Sequence, residues 1–311
     1  MSGSTPADTT QVEIFADELL DCADPATPNF VIVSADATSS LRLMPFKELH
    51  PDRVFQMGVA EGCAVATAFG LSRTNLKAFV IGYANFLIMR GLEVIRSYLA
   101  YHRADVTILG GMTGLTASYD GFMHQAIEDV GLMRALDGME ILVPSDEPTT
   151  RAAARACVES PGPRYVRLVR REVHLPPALG AIGPLSWRYR DGQDALLVSF
   201  GPLLAETIDA ARSLEADGLH ASVLEVGRVA PPPRDELAEA AAPFARVVVV
   251  EDHLAESGLG AMVADALADT HRDIRRVGLT SRSAGSGHYE DVLREAGLTP
   301  SRIAAAATAD R

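Results

Sequence analysis

The chain has 311 residues, 48% of them hydrophobic, and a formal net charge of −13. Its length supports two ordinary domains with their own cores, and its charge repels phosphodiester backbones and anionic lipid headgroups, which excludes nucleic acid and membrane surfaces as partners. No apolar run reaches the ~18–20 residues that span a bilayer, and Met1 to Gln11 lacks the basic-then-apolar order of a secretory leader, so a cytoplasmic protein is expected.

Residues 1–10 read as a disordered tail. Short apolar runs then alternate with alanine-rich amphipathic segments, the pattern of β-α units around a parallel sheet. Helix Val12–Cys22 precedes strand Phe30–Ala35, and strand Val54–Met57 leads into helix Glu61–Leu71. Strand Lys77–Ile81 precedes helix Leu87–Tyr101. Strand Val106–Leu109 is followed by helix His124–Leu136, strand Glu140–Val143, helix Glu147–Glu159 and strand Tyr165–Val169. Asp146, ahead of Glu147 and Pro148, has the chemistry of a helix start.

From His174 to Asp191 the chain carries Pro176, Pro177, Gly180, Gly183 and Pro184 and reads as a loosely ordered linker. A second α/β series follows: strand Ala195–Phe200, helix Leu203–Asp217, strand Ala221–Val226, helix Arg234–Ala242, strand Val247–Glu251, helix Gly260–Leu267 and strand Ile274–Leu279. The alanine-rich end from Ser301 reads as frayed. The expected fold class is α/β, with two consecutive three-layer domains over 11–175 and 191–311, the first built on a mostly parallel sheet, joined by a linker over 176–190.

Several common chemistries are absent. There is no G-x-G-x-x-G and no G-x-x-x-x-G-K-[ST], so a nicotinamide or P-loop enzyme would lack its phosphate cradle. No G-x-S-x-G elbow supports a hydrolase, and no histidine pair has H-x-x-x-H spacing for zinc. Cys22, Cys63 and Cys157 are too few and too far apart for a disulfide framework or a metal site and read as buried reduced thiols. Lys47 in a polar loop and Lys77 at a strand start are the only lysines, which argues against Schiff-base chemistry.

Two stretches depart from a generic α/β pattern. Gly58-Val59-Ala60-Glu61-Gly62 sets one acid in a small, apolar run, and Asp120-Gly121-Phe122-Met123-His124 sets a carboxylate and an imidazole four residues apart beside a glycine. An isolated carboxylate costs several kcal/mol to bury, so it is paired, protonated or used. Taken singly, each residue has a plain alternative. Glu61 fits a first-turn acid stabilised by the helix dipole, and Asp120 and His124 fit a loop aspartate beside a core histidine. Tyr83, Phe86 and Met89 fit a core stripe, and Arg170 fits a solvated strand-end charge.

Those stretches belong to a longer ordered set: Ser34-Ala35-Asp36, Gly58-Val59-Ala60-Glu61, Tyr83-Ala84-Asn85-Phe86, Asp120-Gly121-x-x-His124-Gln125-x-x-Glu128-Asp129, Leu132-Met133-Arg134 and Pro144-Ser145-Asp146. In that order they resemble the transketolase family of thiamine diphosphate enzymes, in the half that binds the cofactor's aminopyrimidine ring. The region from Asp191 resembles the family's C-terminal domain through Val250-Glu251-Asp252-His253 and the glycines after it.

The resemblance implies that Glu61 hydrogen-bonds the pyrimidine N1′ and, in a dry site, sets the proton balance that activates the cofactor. It implies that Tyr83 and Phe86 enclose the ring, with Met89 where relatives carry tyrosine or arginine. Asp36, Ser40, Asp120 and His124 are implied as substrate contacts, and Arg170 as the grip on a sugar phosphate. Two departures stand out. Met112 replaces the usual phosphate-binding histidine, and Phe122-Met123 replace smaller residues beside the acceptor site.

The family also holds the cofactor's diphosphate through a divalent cation, magnesium or calcium, on a Gly-Asp-Gly…Asn motif. Every Asp-Gly pair here lacks the preceding glycine. The resemblance therefore implies an N-terminal-type partner subunit that supplies cation and diphosphate contacts, and a heterotetramer built around a dimer of this chain. The activity implied is two-carbon ketol transfer between sugars or sugar-like substrates. Alternatives are acyl transfer from a 2-oxo acid, as in deoxyxylulose-phosphate synthases or 2-oxo-acid dehydrogenase beta subunits, and a non-catalytic stabilising subunit.

Overall fold

The computed structural model describes residues 9–23, 29–172, 174–280 and 285–309. Most of the tail expected over 1–10 lies outside the described residues. Thr10 is described, and it caps α1 (Gln11–Cys22) through a capping box with Glu13. The first half then runs β1 (Phe30–Ser34), α2 (Met44–Leu49), β2 (Val54–Gln56), α3 (Glu61–Ser72), β3 (Lys77–Tyr83), α4 (Ala84–Val94), β4 (Val106–Gly111), α5 (Asp129–Arg134), β5 (Glu140–Leu142), α6 (Glu147–Glu159) and β6 (Arg164–Arg167). The second half runs β7 (Gly180–Gly183), β8 (Ser186–Arg190), β9 (Ala195–Ser199), α7 (Leu204–Ala216), β10 (Ala221–Val226), β11 (Arg228–Ala230), α8 (Arg234–Ala241), β12 (Arg246–Leu254), α9 (Leu259–Ala266), β13 (Asp273–Leu279), α10 (Tyr289–Glu295) and α11 (Pro300–Thr308).

Two sheets result. The first has the order β11-β5-β6-β4-β3-β1-β2 and is parallel except for β11, which runs antiparallel to β5. The second has the order β13-β12-β9-β10-β8-β7, parallel apart from the β7–β8 hairpin on its edge. Both carry helices on their faces. In the first sheet Val31, Val33, Val80 and Ile108 share a cluster with α3 and α4. Phe30, Ile32, Phe79 and Ile81 point the other way, onto α1 and α6. Alternation along β9 does the same in the second sheet: Leu196 and Val198 join the first-domain cluster, whereas Leu197 packs on the opposite face with Leu204, Ile208 and Ile303. The core is thus continuous across the junction between the sheets.

Three expectations need correction. Residues 176–190 are not a loosely ordered linker, because they hold all of β7 and β8, and β8 pairs with β10 through Arg190, Arg188, Trp187 and Ser186. The chain end from Ser301 is not frayed. It forms α11, with the Thr299 hydroxyl accepting from Arg302 N and with Ile303 and Ala307 buried. The helix expected over His124–Leu136 shrinks to Asp129–Arg134. Backbone carbonyls that would extend it are taken by neighbours: Ala126 O accepts from Gly114 N and Ile127 O from Leu254 N. Among the described residues no helix is long and apolar enough to cross a membrane.

Candidate active site

In an open parallel sheet, loops gather at the carboxyl ends of the strands. Asp36 and Ser40 follow β1, Gly58 to Glu61 follow β2, Tyr83 ends β3 with Phe86 just beyond it, residues 112–128 follow β4 and Arg170 follows β6. Glu61 is the first residue of α3 and only 4% exposed. Its carboxylate accepts two hydrogen bonds from one nitrogen, Arg90 Nη1, at 2.9 Å to each oxygen. The Arg90 Cζ lies 4.5 Å from the centre of the Phe86 ring.

An aromatic nest adjoins that pair. Phe86 meets the His124 ring edge-on at 5.0 Å, Tyr83 meets it at 6.0 Å, and Tyr83 and Phe86 are 6.3 Å apart. The Tyr83 hydroxyl hydrogen-bonds Ser40 Oγ at 3.2 Å. Asn85 Nδ2 donates to Met123 O at 2.7 Å and ties the start of α4 to the His124 loop. His124 Nδ1 is buried without a partner in the described structure. Glu61, Tyr83, Phe86, His124 and Ser40 are therefore brought together, with Arg90 bridging the first of them to the third.

Other expected residues stand apart. Asp36 is exposed, in a left-handed conformation (φ 56°) just beyond β1. Asp120 is exposed in its turn, and Met89 on α4 is 47% exposed rather than packed in the nest. Arg170 is exposed, and its charge acts on Glu13, which also pairs with Arg42 at 3.1 Å. Met112 is half-buried, with φ 59°. Arg90 is the member that the sequence reading missed. Its signal was its place four residues after Phe86, where side chains on a helix meet.

Behind the His124 loop lies a buried charge network that joins the two domains. Arg167 donates from Nε to Asp129 Oδ2 at 2.9 Å and from Nη1 to Asp252 Oδ1 at 2.6 Å. Its Nη2 donates to the carbonyls of Ala126 and Asp252, and Tyr165 OH donates to Asp129 Oδ2 at 2.6 Å. Burial disfavours the Arg167 cation, but the Asp129 and Asp252 carboxylates outweigh it and hold the guanidinium above its ordinary value. His253 Nε2 accepts from Gly131 N at 3.2 Å, and burial keeps that imidazole below its usual range. Glu251 caps α9 by accepting from Leu259 N and Gly260 N. Burial nevertheless lifts its carboxyl to about 7. The C-terminal half also grips the loop from outside: Gln125 Nε2 donates to Gly285 O at 3.0 Å and Gly287 N to Ser118 O at 3.0 Å.

The nest offers a buried acid, flat aromatic faces and an imidazole nitrogen with no internal partner. That set suits a planar heteroaromatic ring that hydrogen-bonds a carboxylate, as the pyrimidine end of thiamine diphosphate does. Among the described residues no group of three or more His, Cys, Asp and Glu side chains is placed to hold a metal ion.

Comparison with known proteins identifies the family. Residues 12–176 match the family model of the transketolase pyrimidine-binding domain, and residues 187–303 match that of the transketolase C-terminal domain. A putative transketolase C-terminal section from Methanocaldococcus jannaschii is 31% identical over 89% of this chain and 88% of its own length. One subunit of the apulose-4-phosphate transketolase from Phocaeicola vulgatus is 30% identical over 91% of this chain and 92% of its own. A 1-deoxy-D-xylulose-5-phosphate synthase from Frankia casuarinae is 32% identical over 97% of this chain, which spans 47% of that protein. Among solved structures, a split-gene transketolase described as an inactive beta4 tetramer superposes with a TM-score of 0.86 at 31% identity, over 96% of this chain and 97% of its own.

Proposed function

The chain belongs to the transketolase family, as the half comprising its pyrimidine-binding and C-terminal domains, and on that premise we propose that it is one subunit of a thiamine diphosphate-dependent transketolase. The reaction proposed is transfer of a two-carbon ketol unit between sugars, sugar phosphates or sugar-like substrates. The observation that carries this reading is the contact chain Glu61–Arg90–Phe86–His124–Tyr83–Ser40 at the carboxyl ends of β1, β2, β3 and β4.

When bound, the cofactor supplies the carbon nucleophile and the electron sink. Glu61 accepts or returns the proton at the pyrimidine N1′, and its burial keeps water from competing for that hydrogen bond. Tyr83 and Phe86 enclose the ring, with Met89 at its outer rim. His124 hydrogen-bonds a substrate oxygen and moves a proton there. Asp36, Ser40 and Asp120 contact substrate hydroxyls, and Arg170 takes a terminal phosphate where one is present.

The cofactor's diphosphate and its divalent cation, magnesium or calcium, are assigned to a partner subunit with a Gly-Asp-Gly…Asn motif. Two similarities support a partner: the Phocaeicola relative is named as one subunit of its transketolase, and the split-gene chain forms a tetramer described as inactive. The working assembly is proposed as a heterotetramer around a dimer of this chain. The 32% identity to a deoxyxylulose-phosphate synthase supports acyl transfer from a 2-oxo acid as the second reading.

The test is to co-express this chain with an N-terminal-type subunit and follow exchange of the thiazolium C2 proton together with ketol transfer. Glu61→Gln is expected to slow both by about 10²–10⁴-fold, the usual weight of a positioned acid or base, with the assembly intact. Full exchange in Glu61→Gln refutes the role of Glu61, and full transfer by this chain alone refutes the partner. A donor screen with xylulose phosphate, pyruvate and free ketoses separates ketol from acyl transfer.

A further inference from the structure

We propose that Arg90 is a built-in occupant of the pyrimidine subsite, a displaceable side chain that stands in for the ring until the cofactor arrives. The inference rests on the reading of Glu61 and Phe86 as ring contacts. Both are already engaged by one group. The guanidinium is flat and cationic, it donates to both Glu61 oxygens at 2.9 Å, and its Cζ sits 4.5 Å from the Phe86 ring centre. A pyrimidine that hydrogen-bonds the carboxylate and stacks on the aromatic face needs those same two surfaces.

The physical reason for such an occupant is the acid itself. Glu61 is 4% exposed, and a buried carboxylate with no partner is costly. Arg90 supplies the partner from the next helix while the ring is absent. The contact is built to open. Only Nη1 bridges the two oxygens, not the two-nitrogen fork of a strong arginine–carboxylate pair. The Arg90 side chain is 50% exposed, and among the described residues Glu61 is its only hydrogen-bond partner. It can swing into solvent without stranding another buried group, and the ring then takes over the carboxylate.

An ion pair with one exposed partner favours the closed arrangement about fivefold, and the apparent dissociation constant of the competing ligand rises by that factor. The test uses the full chain and thiamine, which has the pyrimidine but not the diphosphate assigned to the partner. Isothermal titration is expected to show Arg90→Ala and Arg90→Met binding thiamine about fivefold more tightly than the unaltered chain. Arg90→Met keeps an unbranched stem over Phe86 and guards against a local collapse. Free guanidinium ion should compete with thiamine in Arg90→Ala and have no effect on the unaltered chain, whose subsite already holds a guanidinium. Equal or weaker thiamine binding in both variants, with binding still lost in Glu61→Gln, overturns the occupant and leaves the cofactor reading standing. Thiamine binding that ignores Glu61→Gln, or is absent from every form of the chain with or without its partner subunit, overturns both.

Discussion

Arg167→Met removes the cation that two buried carboxylates share. Arg167 is 1% exposed, and Asp129 and Asp252 are buried beside it. Without it, among the hydrogen bonds of the described residues, Asp129 Oδ2 keeps that of the Tyr165 hydroxyl and Asp252 Oδ1 loses its 2.6 Å bond. Asp129 Oδ1 and Asp252 Oδ2 already lack hydrogen-bond partners in the described structure. Removing one member of a buried ion pair costs about 3–5 kcal/mol, because the charge left behind is uncompensated. Methionine fills much of the vacated volume, so the cavity contribution stays small. At about 2–4 °C per kcal/mol for domains of this size, Tm should fall by roughly 6–20 °C.

Urea unfolding followed by far-UV circular dichroism gives the free energy, and hydrogen exchange over residues 118–128 gives the local consequence. Exchange there should rise, because Arg167 Nη2 holds the Ala126 carbonyl two residues beyond His124. Adding Asp129→Asn and Asp252→Asn to Arg167→Met should recover most of the loss, since the stranded charges go with the cation. A loss under about 1 kcal/mol in the single variant, or a triple variant less stable than the single one, refutes the reasoning.

Gly114→Ala should destabilise the chain by at least ~2 kcal/mol in the same urea assay, because Gly114 has φ 57° and an added Cβ would stand 1.7 Å from Asp252 Oδ2; a neutral result would mean the loop does not press on Asp252. Burial pushes Glu225 up to about 8 from an ordinary 4.5, with the Tyr189 hydroxyl donating to it at 3.3 Å. The unfolded chain gives up that proton near 4.5 and the folded chain near 8, so its contribution is complete below about 4.5 and lost as pH rises through 8. The unfolding free energy in urea should therefore decline over that window, at a slope of up to about 1.4 kcal/mol per pH unit, and Glu225→Gln should flatten the decline; an unchanged slope assigns it elsewhere. Of the three thiols expected to be buried only Cys157 is, and burial raises it to about 12, whereas Cys22 is half-buried and Cys63 exposed. A thiol reagent should label Cys63 in the native chain and reach Cys157 only on unfolding; native labelling of Cys157 would contradict its packing.

What the sequence carried best was periodicity. The apolar runs that became β1, β3, β4, β9 and β12 are buried on both faces, so their hydrophobicity is continuous and needs no knowledge of neighbours. The residues of the nest, Glu61, Tyr83, Phe86 and His124, were singled out by the ordered motifs that carry the family resemblance, since each taken alone has a plain alternative. The β7–β8 hairpin was hidden by its prolines and glycines: it is an edge, where those residues are tolerated. The short α5 was hidden because carbonyls at 126 and 127 are claimed by Gly114 and Leu254, pairings that no local pattern encodes. The apparent fraying after Ser301 was a compositional illusion, since alanine is also the best helix former, and Ile303 and Ala307 find the second sheet.

The charged residues divide along the same line. Arg170 was singled out because the resemblance implies a phosphate grip there, and it stands exposed near Glu13. Arg167, three residues earlier, attracts no notice in sequence and proves to be the buried link between Asp129 of the first domain and Asp252 of the second. Arg167 ends a strand that also begins with an arginine, and such a basic side chain looks like a solvent-facing position until an acid arrives from another domain to meet it. Three consecutive polar residues, Glu251-Asp252-His253, interrupt the valines of β12 and are the complementary sign. The pairing fixes one end of the loop that carries His124, while the start of α4, through Asn85 and Met123, fixes the other. The imidazole is therefore held between two domains, and the acid it faces across Phe86 is held by a third element, α3. Within that arrangement Arg90 is the exception. It is half exposed and joined to its surroundings at one carboxylate and one ring, so it can leave without any of the rigid parts moving.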